Sequence, residues 1–151
     1  MISNYFNKSI MKHCKMEEFD FLTGDWKLEY RIPESVFCKA ASYGGRGSLK
    51  KILNDKYILF EYKTEAGIEA KGIFARDEKI KMYRYWWYED SGDFMAATCS
   101  FINEDTLWMN WHDSLLIQTF TRITADRVIL EMKHPDSSGN YSTILTVILT
   151  R

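Results

Sequence analysis

From Gly24 onward, apolar and polar residues alternate in short segments. Trp26, Leu28, Tyr30 and Ile32 fall on one side of the first segment, with Lys27, Glu29 and Arg31 on the other. Successive side chains of a strand point to opposite faces, so this pattern predicts a half-buried strand. Val128, Leu130 and Met132 repeat it against Arg127, Glu131 and Lys133. Turn residues recur every eight to twelve positions, the rhythm of an all-β sandwich or barrel. Ten strands are predicted, at 25–32, 44–53, 57–64, 68–76, 79–88, 93–101, 106–112, 115–123, 127–134 and 141–150. The short loops between them join neighbours antiparallel, and an up-and-down barrel leaves no open edge. The first 22 residues lack the alternation. Phe6, Ile10 and Cys14, four apart, form one weak helical stripe, so 1–22 reads as a tail or short helix before a barrel domain at 23–151.

Two hairpins predict which side chains face inward. A three-residue loop at Glu65-Ala66-Gly67 pairs Thr64 with Ile68 and sets Tyr62, Phe60 and Ile58 beside Ala70, Gly72 and Phe74. A two-residue loop at Asp77-Glu78 sets Arg76 against Lys79, so that Lys81, Tyr83, Tyr85 and Trp87 share that face. Glu61, Lys71 and Arg84 then face solvent. Small Ala70 and Gly72 opposite bulky Phe60 and Tyr83 fit large-against-small core packing. They equally fit a wall with open space. Three tyrosine hydroxyls on one inner face need partners if buried, which favours a cavity holding water or the polar end of a ligand. The expected lining is Phe60, Tyr62, Phe74, Tyr83, Tyr85 and Trp87, joined by Met109 and Trp111 from the segment 106–112.

Composition narrows the partners. A chain of 151 residues with 46% hydrophobic and 27% charged residues is an ordinary single globular domain. Its net charge of −1 provides no basic field for nucleic acid or anionic lipid. No run approaches the length of a membrane-spanning helix, and residues 1–16 do not read as a signal peptide. Cys14, Cys38 and Cys99 lie far apart, which points to reduced thiols and a cytoplasmic protein.

Phe21-Leu22-Thr23-Gly24-Asp25-Trp26 carries a resemblance. A Gly-x-Trp opening the first strand resembles the lipocalins and the wider calycin superfamily. The likeness extends to a group of uncharacterised single-domain lipocalin-like bacterial proteins. It rests on Gly72-Ile73-Phe74-Ala75-Arg76-Asp77, then Tyr83, Trp87 and Glu89-Asp90, and the closing Thr150-Arg151. Arg76 and Ala75 depart from that group, which often has an aromatic and a glycine there. The resemblance implies an arginine from the end of the chain, Arg151, covering Trp26 by a cation–π contact.

Catalytic motifs are thin. His13, His112 and His134 are isolated in sequence, and no metal-ligand spacing occurs. Glycines in Gly44-Gly45-Arg46-Gly47-Ser48 match neither a nucleophile elbow nor a phosphate loop, and in a strand they mark a bulge or corner. The related nitrobindins hold ferric haem through a late histidine. Here His134 is the one late candidate, and no cofactor is expected. The reading that follows is a non-catalytic barrel binding a small apolar or amphipathic molecule. An isomerase or hydrolase using the same cavity is the alternative, and His112 buried beside Tyr83 or Tyr85 would favour it. A homodimeric module joined through Trp86 and Trp108 is the third reading.

Overall fold

The computed structural model describes residues 16–35 and 38–151, and the stripe of Phe6, Ile10 and Cys14 lies outside them. Ten antiparallel strands form one closed barrel, in which β1 (Gly24–Ile32) is hydrogen-bonded to both β2 (Ala41–Ile52) and β10 (Tyr141–Thr150). Between them run β3 (Tyr57–Thr64), β4 (Glu69–Asp77), β5 (Met82–Glu89) and β6 (Phe94–Asn103), then β7 (Thr106–Trp111), β8 (Ile117–Thr124) and β9 (Arg127–Pro135). Each predicted strand is present. The simple meander needs only short loops, and closure satisfies the edge that β1 would otherwise expose. No helix among the described residues is long and apolar enough to cross a membrane.

The hairpin of β3 and β4 has the predicted register. Tyr62 stands opposite Ala70, Phe60 opposite Gly72 and Ile58 opposite Phe74. Gly67, at φ 88°, takes the left-handed position that the three-residue loop requires.

The hairpin of β4 and β5 departs from the expected register. Asp77 pairs with Met82, so the loop is the four residues 78–81, and Phe74 faces Tyr85 rather than Lys81. A two-residue loop needs central residues at positive φ, which Asp-Glu supplies poorly. Lys81 takes that conformation instead, at φ 55°. The Asp77 carboxylate accepts from the Lys79 amide at 3.0 Å and from Arg84 Nε at 2.7 Å, fixing the longer turn. Lys81 is therefore an exposed turn residue and not part of the inner wall. Tyr83 and Tyr85 remain inside, and Arg84 remains outside, because the slip is an even number of residues. The β2 glycines also differ from expectation. Pairing of β2 with both neighbours runs without a bulge, whereas register shifts occur at Phe101/Asn103, Arg122/Thr124 and Thr143/Leu145.

One end of the barrel is plugged. A 3-10 turn at Glu17–Phe19 drops Phe19 into the interior, where Phe19 and Leu22 are wholly buried. The Phe19 ring meets Phe74, Tyr83 and Phe101, with centroids 4.9, 4.9 and 5.0 Å away. Such edge and tilted ring pairs add attraction beyond the area they bury. Trp26 seals the same end: its indole N–H donates to the Leu22 carbonyl at 2.8 Å, and the Arg151 guanidinium lies 4.1 Å from its ring centroid. Arg151 also donates to the Thr23 and Ala125 carbonyls, so one side chain ties the last residue to the plug and to the β8–β9 loop.

Candidate functional site

Above the plug the barrel is hollow. A cavity of about 140 Å³ lies between the floor and the opposite rim. Tyr85 forms the floor: its ring stacks on Phe74 with centroids 4.2 Å apart, and Trp111 meets it edge-on at 5.7 Å. Phe60, Leu28, Val147 and Leu130 line the walls. Half-buried Tyr62, Trp87, Met95, Leu116 and Leu145 form the mouth, near strand ends.

Five of the eight expected lining residues meet here: Phe60, Tyr62, Tyr85, Trp87 and Trp111. Phe74 and Tyr83 do not, because both pack against Phe19 in the plugged half. Met109 is wholly buried and also stands apart from the cavity. The expected open space beside Gly72 is absent. A Cβ built on Gly72 would lie 2.0 Å from the Tyr85 hydroxyl, so the missing side chain is replaced by a neighbour's ring. Gly72 makes room for the floor, not for a ligand.

The lining that hairpin reasoning missed comes from β1, β6, the loop after β7, and β8, β9 and β10. Leu130 and Met132 belong to the alternation already visible on β9. Gln118 carries its own signal, a polar side chain at an inward position two residues before buried Phe120.

Polar groups in the cavity are few and placed. Trp87 Nε1–H donates to the Tyr62 hydroxyl at 2.9 Å, bracing the mouth. Trp111 Nε1–H donates to Gln118 Oε1 at 3.2 Å, which aims the Gln118 amide group. Tyr85 is 2% exposed, and its hydroxyl makes no hydrogen bond to the other described residues. Burial pushes the Tyr85 hydroxyl well above its ordinary pKa, with the charges of neighbouring Tyr62 and Cys99 adding to the effect. Burial likewise raises Tyr30 and Tyr62. These phenols are donors at neutral pH.

His112 and His134 stand elsewhere, and His13 lies outside the described residues. His112 is exposed, with Nε2 at 2.6 Å from Thr98 Oγ1, and is not beside Tyr83 or Tyr85. His134 is exposed at the rim with Nδ1 2.8 Å from the Pro135 carbonyl oxygen. Among the described residues neither imidazole nor carboxylate lines the cavity. Among the described residues no three His, Cys, Asp or Glu side chains converge as a metal-binding group.

The chain matches no protein-family model. No curated protein matches it by sequence. Among solved structures, Rv2717c from M. tuberculosis aligns at a TM-score of 0.61 and 11% identity, over 90% of this chain and 96% of that one. This likeness establishes a shared fold over nearly the whole chain. A de novo designed fluorescence-activating β barrel aligns at a TM-score of 0.43 and 12% identity, over 91% of this chain and 99% of that one.

Proposed function

We propose that this barrel is a non-catalytic binder of one small apolar or amphipathic molecule, of about the size of a single aromatic ring. The observation that carries the reading is an apolar cavity of about 140 Å³, lined by aromatic and aliphatic side chains with Tyr85 and Gln118 as polar contributors. An apolar cavity of roughly 150 Å³ holds benzene, whereas drug-sized ligands need about 300–1,000 Å³. The volume thus favours a ring-sized ligand, or one end of a longer one, over haem. A ligand acceptor placed over Tyr85 would gain a hydrogen bond from its hydroxyl, and the Gln118 amide offers a second contact. The Gly24-x-Trp26 opening and Arg151 support membership of the single-domain lipocalin-like group.

The test is 2-phenylethanol, titrated while the indole N–H resonances of Trp87 and Trp111 are followed by NMR. Both are expected to shift in a saturable way. Val147→Phe, which puts a ring into the cavity, is expected to abolish the shifts with little change in melting temperature. If wild type and Val147→Phe respond alike, the ring sits somewhere else and the proposal fails.

One observation favours a second reading, a homodimer through the outer wall. Trp86, Tyr88 and Phe94 are 39%, 55% and 73% exposed on adjacent β5 and β6, beside half-buried Ile73 and Leu59. Trp108 is half-buried. Sedimentation of Trp86→Lys beside wild type tests it: a dimer that this change leaves intact would not use this face.

A further inference from the structure

The charge of the ligand follows from what surrounds the mouth. Tyrosines and Cys99 apart, five inward strand positions among the described residues carry a titratable side chain: Lys51, Arg76, Glu89, Arg122 and His134. Lys51, Arg76 and Arg122 sit at the plugged end and are engaged. Lys51 pairs with Asp20 at 2.8 Å, Arg76 lies over the Tyr83 ring, and Arg122 lies over Phe21 beside Asp105. At the other end are exposed His134, with Nδ1 2.8 Å from the Pro135 carbonyl oxygen, and Glu89, at the rim beyond Trp87. Glu89 is opposite Ala70, which is opposite Tyr62, so on this face only a methyl group separates the carboxylate from the mouth tyrosine. The Glu89 charge helps to raise the hydroxyl pKa of both Tyr43 and Tyr62, after burial as the larger cause. Its one hydrogen bond comes from Ser91 Oγ at 2.9 Å, and it makes no ion pair among the described residues.

The rim has the same sign. The described loop residues at this end, 33–35, 38–40, 65–68, 90–93, 112–116 and 136–140, contain six carboxylates, one lysine and one histidine. A low-dielectric mouth ringed by one sign of charge concentrates the opposite sign. Its walls add to this, because Tyr43, Tyr62 and Trp87 offer aromatic surface, which attracts cations through the negative face of the ring.

We infer that the ligand is a cationic amphiphile, an apolar ring in the cavity joined to a protonated amine or quaternary ammonium held at the mouth by Glu89 and the Tyr43, Tyr62 and Trp87 rings. This rests on the cavity reading above and specifies it. Neutral 2-phenylethanol still fills the cavity, whereas 2-phenylethylamine, protonated at neutral pH, fills it and meets Glu89.

Three probes of one shape separate the two claims: 2-phenylethylamine, 2-phenylethanol and phenylacetate, titrated by calorimetry into the whole chain. The amine is expected to bind about fivefold or more tightly than the alcohol, and phenylacetate more weakly than either. Glu89→Gln is expected to bring the amine down to the alcohol while leaving the alcohol unchanged. Salt gives a readout that needs no variant, since added salt is expected to weaken the amine and spare the alcohol. If amine and alcohol bind equally in wild type and the salt response is flat, the charge inference is overturned and the cavity reading stands. If none of the three binds, both fall.

Discussion

At the scale of single residues, two small pieces of chemistry carry more than their size. Gly72 is the seat of the Tyr85 ring, and a methyl group there would meet the phenol ring at 2.0–2.2 Å. Gly72→Ala is therefore expected to cost about 1–3 kcal/mol by forcing Tyr85 off its stack on Phe74. Urea denaturation measures the loss, and an unchanged midpoint would show that the floor shifts freely. The pair of Arg151 and Trp26 divides its work unequally. Trp26 is 2% exposed and fills the barrel end, so Trp26→Ala is expected to cost about 3–5 kcal/mol. Arg151→Ala removes a cation–π contact and exposed hydrogen bonds, for about 1–3 kcal/mol. Equal and negligible losses would mean that the end is closed by the plug alone. The sequence located this contact because Gly24-x-Trp26 and Arg151 carry the resemblance to lipocalins, and that resemblance implies an arginine over the tryptophan. The role of Gly72 was not legible that way, since a glycine facing inward reads equally as space and as a seat for a ring.

At the scale of elements, alternation is a strong signal because it depends only on the pleat of the strand. All ten strands follow from it, and so does the inward set on β3, β4 and β5. That set survived a wrong loop between β4 and β5 because the register moved by an even number of residues, which leaves every face unchanged. An odd slip would have exchanged Tyr85 for Arg84. What alternation does not report is depth along the barrel axis. Phe74 and Tyr83 point inward as expected, yet the plug claims them, and the plug comes from residues without any strand pattern. Phe19→Ala tests this division of the interior. It removes a wholly buried ring touching three others, so a loss of about 3–5 kcal/mol is expected. Binding of 2-phenylethanol to the folded fraction is expected to be retained, because Tyr85 and Phe74 lie between Phe19 and the cavity. Loss of binding with the fold intact would mean that plug and cavity are one continuous space.

At the scale of the whole molecule, the barrel encloses phenols that stay protonated as long as it stays closed. Tyr30, Tyr83 and Tyr85 all have hydroxyl pKa values raised above the ordinary 10.0, with desolvation the largest cause in each. In the unfolded chain the same groups ionise near their ordinary value of about 10. Below that pH both states hold the proton, and these tyrosines give stability no pH dependence. Above it the unfolded state gives up protons that the barrel retains, so stability falls as pH rises. One such tyrosine contributes a slope of about 1.4 kcal/mol per pH unit at most. The urea midpoint is accordingly expected to drop from about pH 10 upward, with phenolate absorbance from the interior appearing only as the barrel opens. Tyr85→Phe isolates one contributor against the background of exposed lysines and tyrosines. The variant should stay within about 1 kcal/mol of wild type at neutral pH, because the hydroxyl it removes makes no hydrogen bond to the other described residues. Its alkaline slope should be shallower by up to one proton. A slope equal to that of wild type would mean that Tyr85 ionises inside the closed barrel, with water reaching the floor of the cavity.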